Sequence, residues 1–475
     1  MPGTHTDERR ENELLAHFLR LAGMSPEKLA RQVNAVLAEL PGTGVRPIHE
    51  KTPYGWLNGQ TPREPVPDAV ALVLADKTGQ HVDVQALFPG RRCPARPLWL
   101  PADHGMALAW DRLGLLAILD GWMEQHMLGR RAFIAITGTA LTTPAWTSLD
   151  TPPPDLAVTR TTGRVREPIV QFVEETVALA QQMDDQQGSA LEFVGDQFRA
   201  VAGILRRDSY DTPTGRRLAT AAAQLAQTAG FMAYESKRDG EAQRWYLTGL
   251  RAAHAAADRP LAASILSLMS NQAATLGRTP DALQLADAAQ EAAVNAPATV
   301  QALVHARSGL AHAAAGDIGA FRRTRDDTLD QLDTIARHPT EPGPRWTYYV
   351  SPTELDAIAG RSLVILARRV PARQNRLLPE AENLLRARAL NDDPAFQRSA
   401  LRHSAWLALA HTQRGEIEQA ITCGERALER LPAVTSSRAT GLLRRLSKDL
   451  EQHAVRATAV RSFVTQLERH LGAAQ

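Results

Sequence analysis

The chain has 475 residues, a formal net charge of +2 and only 5% aromatic side chains. That length leaves room for two or three domains and a large buried core, while the near-neutral charge neither demands nor excludes a nucleic-acid partner. The two cysteines, Cys93 and Cys423, match no metal-ligand spacing and are expected as reduced thiols. Alanine is abundant and strand-like alternation scarce, so an all-α fold of closely packed helices is expected.

The first ninety residues hold nine Lys/Arg against eleven Asp/Glu, a balance of −2. Phosphate neutralisation supplies most non-specific DNA affinity, so this sign weighs against DNA. Between residues 46 and 63 it reverses: Arg46, Lys51 and Arg63 face only Glu50, with His49 beside them. No apolar run precedes Leu14, so no signal peptide is read and a cytoplasmic location is expected. Ser25-Pro26-Glu27 predicts a helix start, because serine caps free amides, proline suits the first turn and glutamate complements the dipole. Leu29, Ala30 and Val33 then present one apolar face. Thr52-Pro53 repeats the device, with Thr52 as cap, and predicts a short helix stopped by Gly59 with Trp56 as its core anchor. Pro62, Pro65 and Pro67 predict a rigid turn, and Val70, Leu72, Val73 and Leu74 a buried helix. The unit closes at Phe88-Pro89-Gly90, giving a first domain over 1–90.

Residues 91–166 read as a linker. Prolines and charges over 91–97 suit exposed chain, and Leu108, Leu115, Leu119 and Trp122 predict a helix over 104–127. Arg130-Arg131 before Ala132 to Leu141 imitates a twin-arginine export signal, but the apolar run is too short to span a bilayer and reads as a buried helix. Pro144, Pro152, Pro153 and Pro154 rule out a continuous helix over 142–166 and predict a second linker or an irregular strap.

From residue 167 to 475 helices dominate. A small residue, another three positions later and an alanine nine beyond that recur as Gly230/Ala233/Ala242, Ser270/Ala273/Ala282, Ser308/Ala311/Ala320 and, with histidine in the middle, Ala408/His411/Ala420. A period near forty residues is that of a helical-hairpin array, whose units create a core only by stacking. Pairs are expected at 216–236 with 240–257, 260–276 with 280–294, 298–315 with 317–337, 353–369 with 376–390 and 398–413 with 416–430. The segment 338–352, with Pro339, Pro342, Pro344 and Trp346-Thr347-Tyr348-Tyr349, interrupts the array as a functional loop or packing strap. A basic helical tail closes the chain.

The strings AGMSPEKLARQVN and IHEKTPYGWLNGQTPREPVPDAVALVLADKTGQHVDVQALFP resemble the Cro-like helix-turn-helix domain of large actinobacterial regulators. GRRAFIAITGTALTTPAW, WYLTGLRAAHAAADR and WTYYVSPTELDAIAGR are similar to segments of Streptomyces-type transcriptional regulators that follow this domain with TPR-like repeats. The resemblance implies an N-terminal helix-turn-helix domain, a helical linker region and a C-terminal TPR-like α-solenoid, with roles in secondary metabolism or development. Two departures stand out: the segment containing Pro41, Gly42 and Gly44 is longer than a simple turn between motif helices, and Gly55 lies inside the mapped recognition helix.

On that resemblance double-stranded DNA meets Arg46, His49, Lys51, Thr52, Tyr54, Gly55, Asn58 and Arg63. Lys51 or Arg46 would contact phosphate, and Tyr54 and Asn58 base edges. In TPR folds the first helix of each pair lines a groove. That geometry places Gln227, Phe231, Tyr234, Ser267, Asn271, His305 and His312 on the inner wall, with Arg402 further along, to receive a peptide, small-molecule signal or protein partner. His305 and His312 lie two turns apart without a carboxylate at ligand spacing, so no metal is expected. Nothing matches a nucleotide loop or a nucleophile motif, and neither enzyme nor cofactor is expected. The expected molecule is a homodimeric regulator without membrane association; the rival is a TPR-like interaction scaffold with a vestigial helix-turn-helix domain.

Overall fold

A computed structural model describes residues 12–38, 46–63, 66–78, 82, 87–88, 108–124, 135–158, 163–187, 190–339, 343–454 and 458–473. Among them are twenty α-helices and no β-strand, which agrees with the all-α expectation, plus two isolated bridges, Val158 with Tyr210 and Arg164 with Ser209. No helix of the described residues is long and apolar enough to cross a membrane. Cys93, the 91–97 segment, Arg130-Arg131 and the Pro41 to Gly44 segment lie outside these residues. The chain divides into two compact units, Met1–Ala109 with Ala117–Ile134, and Trp110–Leu116 with Ala135–Gln475.

In the first unit, α1 (Glu13–Leu21), α2 (Pro26–Ala38), α3 (Thr52–Leu57) and α4 (Val66–Thr78) surround one core. Asn12 caps α1 through the Leu15 N–H at 2.9 Å while its Nδ2 donates to Leu87 O at 2.6 Å, so one side chain joins the start of α1 to Leu87. Ser25 caps α2 as expected, accepting from the Lys28 N–H at 3.3 Å. Thr52 does not cap α3. The helix already begins there, Lys51 precedes it without a side-chain cap, and Pro53 sits in the first turn, where its missing N–H leaves no hydrogen bond unmade. The backbone entering α3 is fixed instead by Asn34, which accepts from Ile48 N–H and donates to Ile48 O, both at 2.8 Å. Trp56 is 3% exposed and stands edge-on to Phe88, the core anchor its sequence context predicts.

Of the helix expected over 104–127 the described residues show α5 (Arg112–Glu124), whose residues are divided between the two units, with 108–111 not helical. In the second unit α6 (Thr139–Asp150) runs through Pro144. The proline ring removes only the donor to Ala140, which is exposed to water. Residues 135–137, expected in a buried helix, are not helical: Ile136 N–H donates to Gln243 Oε1 at 2.6 Å and Ile136 O accepts from Gln243 Nε2 at 3.1 Å.

After α7 (Glu167–Gln187) and α8 (Leu191–Arg207) come six helical pairs: α9 (Thr212–Glu235) with α10 (Asp239–Ala255), α11 (Arg259–Thr275) with α12 (Thr279–Ala293), α13 (Ala298–Ala315) with α14 (Ile318–Arg337), α15 (Pro352–Arg369) with α16 (Gln374–Ala389), α17 (Gln397–Arg414) with α18 (Ile417–Arg430), and α19 (Ser437–Ala454) with α20 (Thr458–Ala473). The first five lie at the expected positions. The first helices of successive pairs also pack on one another, α9 on α11, α11 on α13, α13 on α15 and α15 on α17. The small-residue register marks the packing within pairs: Ala233, Ala242, Ala282, Ala311, Ala408 and Ala420 are fully buried, and Ser270 Oγ crosses its pair to donate to Ala282 O at 2.8 Å. The row then returns on itself, because α17 meets α7, and α19 meets α9.

Two substitutions report on this packing. A Cβ on Gly230 would lie 2.6 Å from the fully buried Tyr246 ring, so Gly230→Ala is expected to lower stability by about 1–3 kcal/mol despite its better helix propensity. Ala257 is exposed and holds φ +59°, in the left-handed region, within the turn between α10 and α11. Ala257→Gly is expected to raise stability by about 0.5–1 kcal/mol, both changes being read by thermal unfolding.

Candidate functional site

The small-residue packing leaves a cavity of about 120 Å³ where the first helices of the pairs converge. Gln181, Asp184 and Asp185 reach it from α7, Gln227, Phe231 and Tyr234 from α9, and Asn271 from α11; Arg307 comes from α13, Arg361 from α15, and Arg398 and Arg402 from α17. The aromatic strap closes one side. Trp346 is buried, Tyr348 donates its hydroxyl to Asp185, and the Tyr349 hydroxyl accepts from Arg307 Nη2 at 2.8 Å. Beyond Gln181, Trp346 and Tyr348 lies a groove of about 630 Å³, so the strap divides an inner chamber from an outer one.

The walls are held by buried ion pairs. Arg398 binds Asp184 and Asp185, each at 2.8 Å, Arg402 binds Glu235 at 3.0 Å, and Arg388 binds Glu354 at 2.9 Å. Burial pushes the Asp184 carboxyl up to about 7, with the Asp185 and Glu235 charges adding to the rise and Arg398 and Arg402 opposing it. Glu235 behaves oppositely: burial raises it, but Arg402 and Arg398 hold it below the usual carboxylate range. His403 is driven well below the usual imidazole range by burial and by Arg402 and Arg361, so it stands neutral. Arg361 is lowered to about 10, mainly by burial, and keeps its charge at neutral pH. Several buried polar atoms are left without a hydrogen-bond partner, among them Gln227 Oε1, Tyr246 Oη, Asn271 Oδ1, Arg361 Nε and His403 Nε2. In a protein interior such atoms mark a place awaiting water or ligand.

Of the groove residues read from sequence, Gln227, Phe231, Tyr234, Asn271 and Arg402 line this cavity. Ser267 lies behind its wall, accepting from Arg307 Nη1 at 3.1 Å. His305 and His312 do not line it: His305 lies 3.9 Å from Asp327 of α14, and His312 feels Asp317 and Asp287. Their seven-residue spacing correctly puts them on one stripe of α13, but Arg307, two positions on from His305, occupies the stripe that faces the cavity. Asp184, Asp185, Arg307, Arg361 and Arg398 were not singled out from sequence. Isolated arginines and aspartates carry no periodic signal, and their partners lie up to 214 residues away. Outside the cavity, Glu382, His411 and Glu416 gather closely enough to suit a metal, but Arg386 and Arg414 already engage the two carboxylates.

In the first unit, α3 buries Pro53 and Trp56 and presents the other side. Arg46, His49, Lys51, Tyr54, Asn58 and Arg63 are exposed, and Thr52 and Gly55 partly so. Two acids interleave with this basic surface: Tyr54 Oη donates to Glu27 Oε1 at 2.5 Å, and Glu50 lies 3.9 Å from Arg31. Gly55 faces the Gln60 side chain, which also donates its backbone N–H to Gly55 O at 2.9 Å.

The raised Asp184 carboxyl gives a pH signature. Its folded value lies above the ordinary 3.8, so the stability it contributes is fully present below about pH 4 and is lost as pH rises through 7. The wild type is therefore expected to lose melting temperature between pH 5 and 7.5, and Asp184→Asn, neutral throughout, to remove that fall.

A family profile described as the SP15 N-terminal domain matches residues 15–87, the span from Leu15 to Leu87 that bounds the core of the first unit almost to its last residue, Phe88. No curated protein matches the chain. No solved structure matches it either.

Proposed function

We propose that this chain is a cytoplasmic, homodimeric DNA-binding transcriptional regulator. Its first unit works as a helix-turn-helix domain and its helical pairs as a TPR-like solenoid that senses a peptide, small signal or protein partner. The observation that carries the reading is the two-sidedness of α3: Pro53 and Trp56 anchor it in the core while Lys51, Tyr54 and Asn58 stand in solvent. A proline-started helix so held has the rigidity a groove-reading element needs, and the exposed cations supply phosphate contacts. The Glu27 hydrogen bond supports a positioning role for Tyr54 beside a reading one. Ligand in the second unit shifts DNA affinity by whatever free energy distinguishes its binding to the two states. The resemblance to Streptomyces-type regulators supports control of secondary metabolism or development.

The scaffold reading keeps one observation in its favour, the acids Glu27 and Glu50 set among the exposed cations of the first unit.

Titration of the full chain with duplexes from its own promoter region, at several salt concentrations, separates the two. A regulator binds with a steep negative salt slope; Lys51→Ala weakens binding to all duplexes and reduces that slope by about one, whereas Asn58→Ala costs about 1–3 kcal/mol at the preferred site alone. Absence of duplex binding at low salt supports the scaffold.

A further inference from the structure

We propose that the inner cavity binds a small organic monocarboxylate that also carries N–H or O–H donors, its anionic end held by Arg361 with Arg307 beside it. The inference rests on the sensing role given above to this half of the chain, and it names the ligand's chemistry.

Arg361 is the first ground. It lines the cavity, is only 8% exposed, and makes no hydrogen bond or ion pair among the described residues. The Glu235 and Glu354 carboxylates favour its charged form only from beyond contact distance, and a buried charge without a contacting counterion is strongly unfavourable. Arg307, equally buried, spends its donors on Ser264, Ser267 and Tyr349, all neutral groups. Its charge is likewise uncompensated by any carboxylate in direct contact.

The charge balance sets the valence. Lining the chamber are four guanidiniums, Arg307, Arg361, Arg398 and Arg402, against three carboxylates, Asp184, Asp185 and Glu354, and one step further out Arg388 and Glu235 add one charge of each sign. With Asp184 ionised, above its value of about 7, one negative charge restores neutrality. A dianion such as a phosphate monoester would meet the acidic side chains of the same wall, so carboxylate is favoured over phosphate.

The unpaired acceptors set the rest. Gln227 Oε1 and Asn271 Oδ1, both on cavity-lining residues more than nine-tenths buried, lack donors. A ligand that leaves them unpaired forfeits affinity, so the ligand brings donors of its own. Leu268, Trp346 and Ile358 supply apolar wall for its body.

The test uses the full chain at constant ionic strength with three probes: N-acetylglycinate, its neutral counterpart N-acetylglycinamide, and methyl phosphate. N-acetylglycinate is expected to raise the melting temperature saturably, by about 1–3 °C at tens of millimolar, and the other two at least tenfold less effectively. Arg361→Gln and Arg361→Met are expected to weaken N-acetylglycinate at least tenfold while melting, without ligand, at or above the wild-type temperature, since each removes an uncompensated charge. The proposal is overturned if N-acetylglycinate gives no saturable shift, if the amide or the phosphate matches it, or if both Arg361 variants melt well below the wild type, which would make Arg361 a structural cation. None of these readings involves DNA, so a failure to bind duplex would defeat the regulator reading and leave this result standing.

Discussion

The second unit depends on buried guanidinium–carboxylate contacts that join helices far apart in the chain. Arg398 of α17 reaches back 214 and 213 residues to Asp184 and Asp185 of α7, and Arg402 reaches 167 residues to Glu235 of α9. Ser436 and Arg438 add to this seam by donating to Glu235 and to the Tyr234 carbonyl, both at 2.6 Å. Alanine-to-alanine packing alone lets helical pairs add in a row without limit; these ions decide where the row turns back. Net stabilisation from buried pairs is small, but removing one partner typically costs 3–5 kcal/mol because the other charge is stranded, and that penalty enforces one closure over the alternatives.

Closure of this kind leaves a chamber as a by-product of geometry. Helices that converge through charged seams cannot also fill the space between them with alanine, so a chamber remains, and its walls inherit whatever charge the seams leave over. The strap completes the enclosure, since the Tyr348 and Tyr349 hydroxyls each join an ion of the wall. A site built this way is preorganised: its polar groups are fixed by the fold before any ligand arrives. The first unit follows a different logic, with a small apolar core gripping one side of a six-residue helix and leaving the other to solvent.

Much of the architecture was legible because it is periodic. Gly230, Ser270 and Ser308 recur at the spacing of the pairs they pack. Gln227, Phe231, Tyr234 and Asn271 followed from that period once a face was chosen. What the period could not give was the phase on α13, where Arg307 and not His305 meets the chamber, nor any of the long-range pairs. Arg398 is one arginine among many until α7 is brought against α17. Pro144 misled for a simpler reason: a proline near the start of a helix, opposite a solvent-exposed carbonyl, removes one hydrogen bond and need not end the helix.

The seams close around a chamber left with an excess of positive charge. Bromide is a probe of that excess independent of any particular ligand, and its anomalous scattering locates it without ambiguity. Crystals of the full chain soaked in bromide should show one strong peak inside the chamber, within hydrogen-bonding distance of the Arg361 guanidinium. A chamber without bromide, with Arg361 turned onto a carboxylate of the wall, would contradict the account.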